Sequence, residues 1–200
     1  RGYVVTMLDQ ATDRTVKLVA EKVLISTGRE PNMEGLEALN LELEGKYLKV
    51  DDKLRTSDKD IYGIGDITGK IQLAHVASAQ GMAAAENAVK GDEKECPLDV
   101  VPSCIYTIPE IGSVGMTEEA AREKYGDNLM IGTFPVAALG KALAMGEGEG
   151  SFKVIAEKNT GKLLGAHIFG ANATDLIMEA AVILQAGGTL RMIGDTIHAH

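Results

Sequence analysis

The sequence predicts an α+β fold in which antiparallel strands are covered by helices. Three observations carry that expectation. β-Branched and polar residues alternate in the opening stretch, and "SFKVIAEKNTGKLLGAHIFG" sets two strand-like runs on either side of a turn. Two long runs of small or aliphatic residues, 73–91 and 173–186, read as helices. In chain order, strands are expected at 3–8, 15–19 and 22–27, with the polar "DQATDR" as the hairpin turn between the first two. Such a meander is too small to hold itself in water, so a packing partner upstream of it is expected.

From residue 29 short strands and polar turns alternate, with a half-turn near 34–39 and a strand-like "DIYGIGD" at 60–66. The helix over 73–91 is rich in good helix formers and stops at Gly91, a suitable C-terminal cap. The charge run and two prolines of "DEKECPLDVVP" make a linker, so a domain boundary is placed at 96/97. Beyond it, "SCIYTIPEIGSVG" is a strand broken by Pro109. "TEEAAREKYG" is an amphipathic helix with Thr117 as N-cap; Ala120 stands where a capping box needs Glu or Gln. "NLMIGTFPVAAL" is a strand, and 151–157 pairs with 163–169 around "KNTGK". The helix over 173–186 is apolar nearly all round, which predicts burial on most sides and suits a subunit interface.

Composition excludes several classes of function. A net charge of −9, from 20 Lys+Arg against 29 Asp+Glu, lacks the basic footprint that a phosphate backbone requires, so nucleic acid is not an expected partner. Glu179 interrupts the most apolar stretch, and no run reaches membrane-spanning length. Two cysteines, Cys96 and Cys104, without CxxC spacing point to neither zinc nor a disulfide framework, and fit a reduced, cytoplasmic chain. No metal site is expected. His75 and His167 are isolated in apolar surroundings, and "GEGEG" at 146–150 has too few oxygen ligands for calcium.

Candidate chemistry starts at "TSDKDIYGIGD". Asp66 follows a Gly-x-Gly turn whose missing side chains permit close approach of a ligand, so its carboxylate can accept a ligand hydroxyl. The helix from Leu73 then points its amide end toward whatever lies beside that turn. On spacing alone, an ordinary strand end with a turn aspartate is the commoner outcome. The chain also closes on "DTIHAH", with two histidines in its last three positions.

Taken together, "VLISTGREPN", "TSDKDIYGIGD", "LAHVASAQG", "YTIPEIGSVG" and "IHAH" resemble the C-terminal portion of the flavin-dependent pyridine nucleotide–disulfide oxidoreductases, in the right order along the chain. The ending "HAH" after "GGTLRMIGDTI" is most similar to the dihydrolipoamide-oxidising branch; glutathione and mercuric reductase relatives share the architecture. The resemblance implies residues 1–28 as the end of an NAD-binding domain, 29–96 as a central region of the FAD site, and 97–200 as an interface (dimerisation) domain cut at its C-terminus. It implies that Asp66 bonds the ribityl chain of FAD. Gln72, Leu73, Ala74 and His75 would lie at the flavin pyrimidine edge, and Gly28 near the nicotinamide nucleotide of NAD. His200 matches the catalytic proton acceptor, which serves the other subunit's site, and His198 a supporting residue. A homodimer is implied, as is a lipoyl-bearing partner from a 2-oxoacid dehydrogenase or glycine cleavage complex. The family's Gly-rich FAD fingerprint, its CxxxxC disulfide, its G-x-G-x-x-G and the proline and glutamate after the second histidine are not in these 200 residues. They are therefore expected to bind neither cofactor tightly and to be inactive alone; a non-catalytic dimerisation module is the alternative description.

Overall fold

The computed structural model describes residues 2–91 and 94–199, which fall into two compact units, Arg1–Ala88 and Val89–His200. In the first unit β1 (Tyr3–Asp9) and β2 (Arg14–Ala20) form the expected antiparallel hairpin, in register from Tyr3↔Ala20 to Asp9↔Arg14. Its turn is made by Asp9, whose carboxylate accepts from Ala11 N at 3.0 Å and Thr12 Oγ1 at 2.7 Å, while Asp13 takes a left-handed φ of 53°. The third expected strand, 22–27, does not form: those residues have no ladder partner among the described residues, and Leu24 and Ile25 stand exposed. Composition supplied strand propensity there, but a strand exists only where a neighbour takes up its amides and carbonyls.

A 3₁₀ turn at Glu37–Leu39 fills the expected half-turn, and β3 (Leu43–Glu44) pairs with β4 (Tyr47–Leu48). The strand expected at 60–66 shrinks to one bridge, Arg55↔Tyr62, followed by a 3₁₀ turn at Gly65–Thr68. Gly65 is the cause, since its φ of +74° turns the chain out of extended geometry. Next, α1 (Ala74–Lys90) buries Val76, Gln80, Ala83, Ala84 and Asn87, one stripe at helical spacing, and ends at Gly91 with φ +97°.

The second unit is built on a five-stranded antiparallel sheet. Its strands are β5 (Ser103–Ile105), β6 (Glu110–Gly115), β7 (Leu129–Pro135), β8 (Ser151–Glu157) and β9 (Leu163–Gly170), in the order β5-β6-β9-β8-β7. Pro109 breaks the first pair as expected, with a cis peptide after Ile108. The helices are α2 (Glu118–Tyr125), α3 (Gly140–Met145), α4 (Ala173–Gln185) and α5 (Leu190–Asp195). Thr117 caps α2, accepting from Ala120 N at 3.2 Å. Alternation along β8 feeds two clusters: Phe152 and Val154 pack with Ile177 and Ala181 of α4, whereas Ile155 packs with Ala121 of α2. The sheet thus lies between α4 and α2.

Burial of α4 within the chain is partial. Its Ala173, Ile177, Ala180 and Ala181 are buried, but Leu176 and Met178 are each 47% and Val182 65% exposed, so only one side of this apolar helix is covered within the chain. The six-residue α3 and α5 were not anticipated. Neither is long enough to show an apolar repeat in the sequence.

Candidate functional site

Two loci hold the candidate residues, one in each unit. In the first, Asp66 sits inside the 3₁₀ turn rather than at a strand end. Its side chain is 39% exposed and pairs with Arg29 Nη1 at 3.2 Å, which brings the residue after Gly28 to the same carboxylate. Gly28 has φ +122° and open space where a Cβ would stand, a backbone that side chains rarely adopt and that a ligand can approach closely. Gln72 and Leu73 are half-buried, and Ala74 and His75 are exposed on the first turn of α1. The bond from Ala77 N to Leu73 O, 3.0 Å, opens the helical ladder, so this turn carries the positive end of the helix dipole.

The turn and the helix are fastened together. Gly65 N donates to the side-chain Oε1 of Gln80 at 2.7 Å, and Thr68 Oγ1 donates to Gly65 O at 2.8 Å. A Cβ on Gly65 would lie 3.2 Å from Ala77 Cβ, so the turn rests on α1 at close quarters. Sequence reasoning missed Gln80. The available signal was a polar residue at an otherwise small or apolar position of the helix stripe.

In the second unit His198 Nε2 bonds Glu179 Oε1 at 2.8 Å, linking the end of the chain to α4. The carboxylate holds the imidazole pKa above its usual range, through the hydrogen bond first and charge attraction second. His200 lies outside the described residues. Glu179 was noted in the sequence only for interrupting an apolar run. The amino end of α4 is held by Glu110 of β6, whose Oε2 accepts from Thr174 N at 3.1 Å and Thr174 Oγ1 at 2.7 Å. Those bonds depress the Glu110 pKa, with the side-chain bond contributing most. His198, Leu176 and Met145 border a groove of about 1040 Å³ over Phe152 and Ile168.

The remaining polar candidates are structural. His167 Nε2 is bonded to Met116 O at 3.0 Å. Cys96 and Cys104 are free thiols, and burial pushes the Cys104 pKa up, so it is not an activated thiolate. No group of three or more potential metal-binding side chains occurs among the described residues, nor does any helix there have the length and apolarity to cross a membrane.

Against known families, residues 101–200 match the pyridine nucleotide-disulphide oxidoreductase dimerisation domain, and residues 3–81 match the pyridine nucleotide-disulphide oxidoreductase domain. The chain belongs to this oxidoreductase family. Among individual proteins, it is 42% identical over 188 residues to a dihydrolipoyl dehydrogenase of Bacillus subtilis, covering 93% of this chain and 40% of that enzyme. A dihydrolipoyl dehydrogenase of Corynebacterium glutamicum is 39% identical over 197 residues, covering 96% and 42%. Two similar solved structures are the HOCl-induced flavoprotein disulfide reductase RclA from Escherichia coli and LpdA from Mycobacterium tuberculosis. The first has a TM-score of 0.84 at 28% identity, covering 92% of this chain and 43% of that one. The second has a TM-score of 0.85 at 29% identity, covering 98% and 42%. The chain therefore spans about two-fifths of the length of the curated relatives.

Proposed function

We propose that the chain is the C-terminal part of a dihydrolipoyl (dihydrolipoamide) dehydrogenase, which oxidises dihydrolipoamide to lipoamide and reduces NAD⁺. The observation that carries this reading is the likeness, along nearly the whole chain, to enzymes of that name. The structure fits an FAD site in two respects: Asp66 offers an accessible carboxylate, and the turn holding it is bound to the helix whose amino end begins at Ala74. When bound, FAD would relay electrons between the enzyme's disulfide and the nicotinamide.

Asp66 accepts a ribityl hydroxyl, in exchange for or beside its contact with Arg29. Gln72, Leu73, Ala74 and His75 present backbone to the pyrimidine edge, where the helix end favours negative charge. Gly28 lets the nicotinamide nucleotide approach. His200 takes the dithiol proton that must leave before sulfur can attack a disulfide, a task for an imidazole titrating near neutrality. His198, anchored on Glu179, supports the segment entering His200. The enzyme acts as a cytoplasmic homodimer, through residues 97–200, and receives its substrate from a lipoyl-bearing protein. Residues 1–28 close the NAD-binding domain, and residues 29–96 line the FAD site.

The test is turnover by the full-length protein containing this chain. We expect NAD⁺-dependent oxidation of dihydrolipoamide, and a loss of roughly 100- to 10,000-fold in H200Q with FAD still bound. The 200 residues alone should show none. Full-length protein that ignores dihydrolipoamide but reduces glutathione disulfide would overturn the reading.

A further inference from the structure

Gln80 is 1% exposed, on the buried stripe of α1, and its side-chain oxygen receives the amide of Gly65 at 2.7 Å. Gly65 immediately precedes Asp66 and opens the 3₁₀ turn that carries it. The two peptide groups of Gly65 are thereby fixed from different sides: its N–H by Gln80, its carbonyl by Thr68 Oγ1 at 2.8 Å. Gly65 also cannot be pinned by packing alone. It has no side chain, and its φ of +74° is a conformation that a free glycine leaves readily. A buried N–H without an acceptor would be costly, so the hydrogen bond selects the backbone geometry in which Asp66 is presented beside α1.

From this geometry we infer that Gln80 is a positioning residue for flavin: it locks the turn bearing Asp66 to the helix whose entry is formed by residues 72–75, so that both halves of the site meet the ligand in one arrangement. The inference rests on the FAD reading of Asp66 given above. Reach is the decisive property. Glutamate at this position keeps an acceptor oxygen at the same distance from the backbone, asparagine withdraws it by one methylene, and leucine removes it.

The experiment measures FAD dissociation constants and the visible flavin circular dichroism of the full-length protein. Q80L and Q80N should bind FAD roughly tenfold or more weakly, and shift the flavin dichroism, as expected for loss of one buried acceptor. Q80E should stay within about threefold of the parent. Because Gln80 acts through the Asp66 turn, D66A should cost less in the Q80L background than in the parent. Additive penalties, or Q80E as weak as Q80N, would overturn the positioning role. Unchanged FAD binding in D66A would instead overturn the site reading, and this inference with it. If Q80L fails to accumulate, the contrast between Q80E and Q80N carries the test.

Discussion

Gly112 marks the place on β6 where α4 comes closest to the sheet, and alanine there tests how the second unit is held together. A Cβ at this position would stand 2.4 Å from the Ala173 carbonyl oxygen and 2.9 Å from Ile177 Cβ. Ordinary contact begins near 3.4 Å, so α4 must retreat by about 1 Å at its amino end. The obstacle is backbone, which cannot swing aside as a side chain can. A gap of that size forfeits a quarter to a half of each contact it opens, and Ala173, Ile177, Ala180 and Ala181 all lie in the affected cluster. Overpacking of this kind costs about 1–3 kcal/mol. With a urea dependence of about 2 kcal/mol per molar, the midpoint for G112A falls by about 0.5–1.5 M. Methyl resonances of Ile177 and Ala181 followed through a urea titration report this unit specifically. Gly140 is the control: nothing lies within 4 Å of its hypothetical Cβ, so G140A should change stability by less than about 0.5 kcal/mol. A G112A midpoint equal to that of the parent would refute the packing of α4 on β6.

Three further outcomes are expected. T117A removes the cap of α2 and should destabilise the second unit by about 1 kcal/mol, read as a lower urea midpoint; no change would mean that water replaces the hydroxyl without penalty. E179Q should lower the His198 pKa in a histidine NMR titration. Since the folded imidazole titrates above its usual range, its contact with Glu179 stabilises the fold at pH values below that range and is lost as pH rises through the raised pKa; E179Q should flatten that decline. V182D places a charge at a 65%-exposed position, so it should leave the fold of the chain intact but shift sedimentation toward the monomer if the open side of α4 is the dimer face. Undiminished dimer in V182D would place the interface elsewhere.

Local chemistry is what made much of the fold legible. The β1–β2 turn, the Pro109 break, the α2 cap, the β8–β9 hairpin and the end of α1 at Gly91 are each specified within a few residues. The strand expected at 22–27 failed because pairing is a property of neighbours, and no spacing within those six residues encodes a neighbour. The strand expected at 60–66 failed because one glycine φ, +74° at Gly65, outweighs the apolar alternation around it. α3 and α5 are single short helices set by their surroundings rather than by an apolar period.

Site residues divide along the same line. Asp66 stood out in the sequence because it follows a Gly-x-Gly turn and His198 because it belongs to the closing histidine pair, whereas Gly28 was singled out only by the family resemblance. Gln80 and Glu179 did not stand out: Gln80 is one of several polar residues in α1, beside Ser78, Glu86 and Asn87, and Glu179 shares α4 with Thr174 and Asp175, so neither residue type nor neighbours marks it out. Spacing nevertheless carries information for Gln80, which falls four residues after Val76 on the buried stripe, whereas Glu179 lies on the exposed part of α4. Gln80, 1% exposed, would be costly without a partner, and Gly65 beside Asp66 supplies it; Glu179, with its side chain 44% exposed, carries no such burial penalty, and its bond to His198, two residues before His200, is a surface contact. The helices therefore do more than cover the sheet or the turn. Through Gln80, α1 holds Gly65 and the turn bearing Asp66, which its apolar neighbours touch without fixing, while α4 offers Glu179 on its exposed side as a surface anchor for His198.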